Sequence, residues 1–419
     1  MIPAAANCGW PRGFNQMNCC SKTAASCFLL LCADGVAAAA TSPDPKSLLL
    51  FSVGPVSIRP QFSAAQVYND NIYYTDLTKV GDLQTIASPG VKLMVGRDEP
   101  GFNYATLQYY YDRVQHWQET ELSANQHRLA LNSLFNKGKF TLQGQDRVDF
   151  LSSTLGGGIG LSGVKVDRKT FFDEYRLTSD LTDRTAVYAE ATHRAVDYDN
   201  KLALFDSRTI QGTGGFEFQS FSRSRLFGEV YFGQTTSEDN LGKTEAPTAQ
   251  FVGGFLGVRG DFTEKLTGVL KAGYETRSFS DNSPSGGLPV VQATLSQRFG
   301  DRTTLSGTYT RSQSVSVQAA RSEFVVDSLG VRLVQVMGQA ERMRLVVDGT
   351  LSRNTYDDIV LVYKDRLDTV YSGGFAFEYM IKDWATAELG YRFEKFDSTI
   401  PLILDYTVNR ISLSLLVGY

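Results

Sequence analysis

The chain has 419 residues, with 38 Gly, 20 Tyr and 26 Phe against only 12 Pro, and a formal net charge of −4. That length admits two or three globular domains or one large barrel. Charges of both signs are spread along the chain without a basic block, which excludes nucleic acid as a partner.

All five cysteines, Cys8, Cys19, Cys20, Cys27 and Cys32, lie near the N-terminus. There Lys22 precedes an uncharged apolar stretch from Thr23 to Leu31, and small residues follow from Gly35 to Ala40. Basic, then apolar, then small is the order of a secretory signal peptide. Residues 1–40 are read as that leader, cleaved after Ala39 or Ala40. Met17 makes a better start than Met1, since the stretch before Lys22 is long for a leader. Leu30 and Leu31 stand where lipid attachment at Cys32 needs small residues, which disfavours a lipoprotein. A buried N-terminal helix is the alternative. A mature chain without cysteine has nothing to mispair in an oxidising compartment. No later apolar run reaches the ~18–20 residues of a spanning helix. The mature protein is therefore soluble, peripheral, or a closed barrel, the other structure that satisfies its backbone in lipid.

Residues 41–54 read as a short periplasmic lead-in, and 55–419 as the barrel. The pattern there predicts strands near 56–68, 82–96, 102–114, 124–135, 139–152, 169–181, 185–196, 207–220, 225–235, 249–261, 266–278, 288–298, 303–314, 323–336, 342–355, 367–379, 384–396 and 404–419. Most alternate apolar and polar residues, the signature of one face in an apolar medium and one in water. In the last segment Ile411, Leu413, Leu415, Val417 and Tyr419 share the apolar face, and the same holds for Ala385, Ala387, Leu389, Tyr391 and Phe393 before it. Residues 249–258 are apolar on both faces and leave their orientation open.

The connections alternate strictly between short, as at Asn136-Lys137-Gly138 or Phe299 to Arg302, and long, as near 153–168 or 236–248. One end of the structure therefore carries tight turns and the other loops. That asymmetry and the even strand count predict a transmembrane antiparallel up-and-down β-barrel of about 18 strands, 16–20 being admissible, with tight periplasmic turns, longer extracellular loops and both termini periplasmic in a bacterial outer membrane. A soluble β-propeller or sandwich is the alternative, repeats near forty residues fitting propeller blades, but no blade signature recurs. Tyr109, Tyr110 and Tyr111 at one end and Phe262, Phe299 and Tyr379 at the other fit aromatic girdles, as do Tyr391, Phe393 and Phe396. No long insertion marks a constricting loop.

Within residues 66–96 stand Gln-Val-Tyr-Asn-Asp-Asn-Ile-Tyr-Tyr, then Asp82-Leu83-Gln84-Thr85, then Ser88-Pro89-Gly90-Val91-Lys92-Leu93. This stretch resembles the start of the outer-membrane β-barrel porin family often encoded beside exopolysaccharide synthesis genes. The resemblance implies a barrel with a role in export or passage of polysaccharide and assigns no residue roles. Read from the residues alone, Asn69, Asp70 and Asn71 are turn formers bonding local backbone, and Pro89 is tolerated if it lies above the closed ladder.

Enzyme chemistry finds little purchase. His116, His127 and His193 have no partners at metal-ligand spacing, so neither a metal nor another cofactor is expected. Gly158 to Gly163 matches Gly-x-Gly-x-x-Gly, but no helix pattern follows, and it reads as an external loop. Charged side chains on the polar faces must line the interior, because lipid exposure costs up to ~2–4 kcal/mol each. Those assigned to the interior are Arg147, Glu174, Arg176, Glu190, Arg194, Glu229, Lys271, Arg342, Arg344, Asp348, Glu388, Arg392 and Arg410. They form either a mutually paired wall or a polar passage, and their mixed signs argue against strong ion selectivity. Interior Tyr110, Tyr188 and Tyr231 could stack on sugar rings.

Three functions follow in order. The first is a channel or conduit for polysaccharide, oligosaccharide or small hydrophilic solutes. The second is a non-conducting structural or assembly barrel that anchors surface polysaccharide machinery. The third is a barrel enzyme, ranked last, so the chain is read as a non-enzyme. Expected partners are outer-membrane lipid and lipopolysaccharide, barrel-assembly machinery that reads Ile411 to Tyr419 as an assembly signal, and polysaccharide export or synthesis components.

Overall fold

The computed structural model describes residues 50–97, 102–156, 163–199, 204–239, 248–280, 286–315, 323–338, 340–356, 365–400 and 405–418. The leader, the Gly-x-Gly-x-x-Gly match up to Leu161 and Ser162, and Tyr419 lie outside them. The strands are β1 (Phe51–Val53), β2 (Val56–Asn69), β3 (Asp82–Gly96), β4 (Tyr104–His116), β5 (Ala124–Lys137), β6 (Phe140–Thr154), β7 (Lys165–Asp180), β8 (Thr185–Tyr198), β9 (Phe205–Phe218) and β10 (Ser224–Asp239). They continue as β11 (Ala249–Asp261), β12 (Leu266–Phe279), β13 (Gly286–Phe299), β14 (Thr303–Val315), β15 (Glu323–Met337), β16 (Met343–Tyr356), β17 (Leu367–Lys382), β18 (Ala385–Ser398) and β19 (Tyr406–Val417). Among the described residues a single 3-10 turn, Thr120–Leu122, interrupts them.

From β2 to β19 each strand pairs antiparallel with the next, and β19 pairs back onto β2. Eighteen strands thus close an up-and-down barrel, and closure removes every free edge from the ladder. The expected strands are present with ends shifted by a few residues, the largest shifts being the start of β7 at Lys165 rather than 169 and the end of β10 at Asp239 rather than 235. The nineteenth, β1, was not expected. It folds back through Gly54 and pairs Phe51 with Ile58 on β2. The tight turns need left-handed backbone at two glycines with open space around them, Gly138 (φ 62°) and Gly300 (φ 65°).

Alternation gives the wall two faces. Outward stand Phe62, Leu129, Leu142, Leu177, Val230, Phe232, Leu329, Leu389 and Leu413, all exposed, with Leu256 the most so at 76%. The ambiguous segment is now oriented. Val252 and Leu256 point out, whereas Phe251 and Phe255 point in and pack with Tyr231 and Val290. Toward the loop end the outward face turns polar. Tyr109 bonds His127 (2.8 Å), Tyr309 donates to Asp327 (2.8 Å) and Tyr391 to Asn409 (2.8 Å). Tyrosines with one apolar body and one wet tip suit an interface. Two rings leave the expected girdle. Tyr110 turns inward and donates to Gln61 (2.6 Å), and Phe396 is buried on the inner face against Tyr406.

The Ser-Pro-Gly segment also sits differently from expectation. Pro89 lies mid-strand, paired with Phe62 on β2. On the other side the β3–β4 ladder skips it, running from Ala87–Arg113 to Gly90–Tyr110. The missing donor thus falls in a gap of the ladder rather than above it. Gly90 leaves room for the Tyr110 ring, which a side chain there would strike.

Candidate functional site

The inner face carries clusters of charges, and most are tied to one another. On the β7–β12 arc Glu217 gathers three arginines: Arg176 (2.8 Å), Arg259 (3.0 Å) and Arg225 (3.4 Å). Arg176 also lies 3.8 Å from Glu190. Next to them Glu229 accepts from Lys271 (2.6 Å) and Tyr188 (2.7 Å), and Glu275 from Arg277 (2.7 Å) and Tyr231 (2.8 Å). The partners stand 41 to 44 residues apart in sequence for Arg176–Glu217, Lys271–Glu229 and Tyr231–Glu275. Long side chains here reach past the adjacent strand to the one beyond it. Charge-assisted bonds of this kind are stronger than neutral ones and fix rotamers along the wall.

Two smaller groups follow. On β4–β6 Arg128 holds Asp112 through two nitrogens (2.7 and 2.9 Å) and Arg147 pairs with Asp149 (2.7 Å). On β16–β19 Arg344 donates to Glu378 (2.8 Å), and Arg392 lies 3.5 Å from Asp348. In the same group Glu388 sits opposite Glu378 in register, and Arg410 lies 3.9 Å from Glu394. Arg194 lies over the Phe172 ring on the inner face, and Glu174 is buried there. Arg342 stands apart from the rest. It occupies the exposed turn before β16, where its carbonyl accepts from Met380 N–H, so it is on no wall. Of the terminal strand, Ile411, Leu413 and Leu415 are exposed outward and Val417 shares their face.

Two of the three sugar-stacking tyrosines offer no free face. Tyr188 is 5% exposed with the Arg176 guanidinium 3.7 Å above its ring, and Tyr231 is 3% exposed and stacked on Phe255. Sequence reading missed a complementary surface. The inner face of β13–β15 carries Thr294, Ser296, Ser306, Thr308, Thr310 and Ser328, with Ser296 and Ser306 3.0 Å apart. A hydroxyl-rich stretch, with Arg332 in register between Ser306 and Asp348, therefore stands beside two charged ones. The signal was present as runs of Ser and Thr at alternate positions.

Two Asp–His pairs also emerge, His116–Asp82 (3.0 Å) and His193–Asp173 (2.7 Å). His116 is buried at the loop end. His193 faces outward beside Ala191, Ala195 and Ile210, none of them a nucleophile. Beside His116 stands the Ser123 hydroxyl, which accepts from the His116 backbone N–H (3.0 Å) and is thereby tied to the main chain.

The loop between β2 and β3, residues 70–81, does not stay outside. Tyr74 is buried against Phe396, Tyr406 and Val408 of the inner face and accepts a bond from Arg410 (2.6 Å). Burial, with lesser help from the bond to Glu119, pushes the Tyr73 phenol up to about 12. Asp70 accepts from Asn409 N–H (2.7 Å) and Asn409 Nδ2 (2.6 Å), and Asn71 Nδ2 donates to Thr407 C=O (3.0 Å). Register pairing of β19 with β2 stops at Arg410–Asn69. Asp70 and Asn71 carry the joint beyond that point with side chains and with the Asp70 N–H, which donates to the Asn409 carbonyl (3.1 Å), so these turn formers bond a distant strand as well as local backbone.

In fold the chain is similar to a BenF-like porin from Pseudomonas fluorescens Pf-5 (12% identity, 86% of this chain and 99% of that one, TM-score 0.47). It is similar also to the outer membrane protein opdK of Pseudomonas aeruginosa (10%, 86% and 99%, TM-score 0.48) and to OccAB3 of Acinetobacter baumannii (12%, 86% and 99%, TM-score 0.45). No family model and no curated protein matches the sequence. At such identity and overlap nothing those proteins bind passes to this chain.

Proposed function

We propose that the chain is a bacterial outer-membrane channel for small hydrophilic solutes, with tight turns and both termini on the periplasmic side. The observation that carries this reading is the two-faced wall. An exposed apolar exterior suits lipid, and eighteen strands enclose an interior too wide to be filled by side chains alone. Paired charges and a hydroxyl wall make that interior polar without a dominant sign, which favours neutral or zwitterionic solutes. Oligosaccharide is a cargo consistent with the hydroxyl wall, and the exopolysaccharide association rests on residues 66–96 alone. Outer-membrane lipid and lipopolysaccharide would meet the tyrosine belt, and barrel-assembly machinery the terminal strand.

The test is single-channel conductance of the refolded protein in planar bilayers, with and without added maltooligosaccharides. The reading expects steady ohmic steps and sugar-dependent block. A folded barrel with no conductance favours the second reading, a structural barrel, to which the inward loop at 70–81 lends specific support. In that case a stable partner is expected on pull-down from outer membranes.

A further inference from the structure

We infer that Tyr74 is a selectivity-determining residue of the barrel mouth, held there by a loop that crosses the lumen as a fixed chord. The inference rests on the channel reading above. Loop 70–81 is anchored at separated points of the wall. On one side Asp70 and Asn71 bond β19, and Tyr74 packs edge-on against Tyr406 (5.1 Å between centroids). On the other side the Ile72 carbonyl accepts from Thr154 Oγ1 (2.9 Å) at the end of β6, and the Tyr73 hydroxyl donates to Glu119 (2.8 Å) between β4 and β5. Between β19 and β6 the wall runs through β2, β3, β4 and β5, so a short loop that touches both ends of this arc must cut across it. Ile72, between the two anchors, is 1% exposed.

The backbone supports the same conclusion independently. Tyr74 has φ 50°, a conformation costly for a bulky side chain and kept only where surroundings over-determine it. Three contacts do so here: the Asn71 carbonyl accepts the Tyr74 N–H (3.3 Å), Tyr406 packs on the ring, and Arg410 Nη2 reaches the phenol oxygen. Gly156, from the β6–β7 connection, lies so close to the ring that a side chain there would collide with it. The phenol thus caps Arg410, an interior arginine of β19 that also lies 3.9 Å from Glu394, and covers part of its field. A solute entering past this arc meets a neutral hydroxyl where it would otherwise meet a guanidinium. The chord therefore does two things: it narrows the mouth, and it lowers the attraction of Arg410 for anions.

The test uses the mature protein and its Tyr74→Ala and Tyr74→Phe variants, refolded and checked by heat-modifiable gel mobility. Conductance and the reversal potential in a KCl gradient are read in planar bilayers. Tyr74→Ala is expected to raise conductance by about twofold and to shift the reversal potential toward anion selectivity. Tyr74→Phe keeps the packed ring and is expected to leave conductance within error while shifting selectivity in the same direction. If Tyr74→Ala does not fold, the Tyr74→Phe shift alone decides. A wild type that conducts, with reversal potentials unchanged in the folded variants, overturns the role of Tyr74 and leaves the channel reading standing. A silent wild type that Tyr74→Ala opens supports the inference. Silence of every folded form overturns both.

Discussion

Replacing Glu217 by Gln removes one negative charge from the inner wall while keeping its shape. Glu217 is 5% exposed and receives Arg176, Arg259 and Arg225. The Arg225 side chain is 44% exposed and contributes little, about 0–1 kcal/mol for an open pair. Arg176 and Arg259 are more enclosed, at 12% and 23%, and each bond to a charged group contributes about 1.5–3 kcal/mol. A glutamine carbonyl still accepts from one of them, so the net loss comes to about 2–4 kcal/mol, much of it from leaving a cation without its counter-charge. Urea unfolding of the refolded barrel in liposomes, followed by tryptophan fluorescence, should show that loss. The wall would also gain one unit of positive charge, and the reversal potential should move toward anions. Full stability and unchanged selectivity together would refute the idea that this glutamate organises the arc.

Other perturbations test other parts. Asp70→Ala should remove both side-chain bonds to Asn409 while leaving the Asp70 N–H bond to the Asn409 carbonyl, cost about 1–3 kcal/mol at the joint, and lower the temperature at which the folded band disappears on gels. Leu413→Arg places a cation on the exposed outward face at a cost of about 2–4 kcal/mol near the bilayer midplane, and should reduce protease-protected protein in outer-membrane fractions. Tyr73 should stay protonated until about pH 12 in the folded state. Because its proton is held above the ordinary 10.0, the loop's stability is full below pH 10 and falls as pH rises from there toward 12. Comparison of phenolate absorbance with a Tyr73→Phe variant reads this directly, and identical titrations would count against it. Deleting Tyr419 should impair assembly, measured as the fraction of chain recovered in the membrane.

The strand plan was legible because period two is enforced twice, by lipid-compatible exterior residues such as Leu413 and by polar interior ones such as Ser412. The tight turns were legible because Gly138 and Gly300 are the residues that such a backbone demands. Side-chain pairing was not. Arg176 and Glu217 are 41 residues apart, and neither hairpin register nor local pattern says that an arginine skips its neighbouring strand. The direction of loop 70–81 was hidden for a similar reason. Asn71 and Thr407 are 336 residues apart, and a segment rich in turn formers looks the same whether it leans outward or in. Tyr188 and Tyr231 show the limit of reading chemistry from residue type: their ring faces were already taken by Arg176 and Phe255.

The joint between the first and last strands has one more bearing. The edge of β2 is covered in three lengths: β1 over Val56–Ile58, β19 over Phe62–Asn69, and the side chains of Asp70 and Asn71 past the end of the ladder. Among the described residues extensive strand-to-strand contact elsewhere runs between neighbouring strands. Hairpins could therefore be gained or lost between β3 and β18 in units of two without touching the clasp that makes the ring continuous. Over evolutionary time the circumference of such a protein is free to change, while its fastening stays the same.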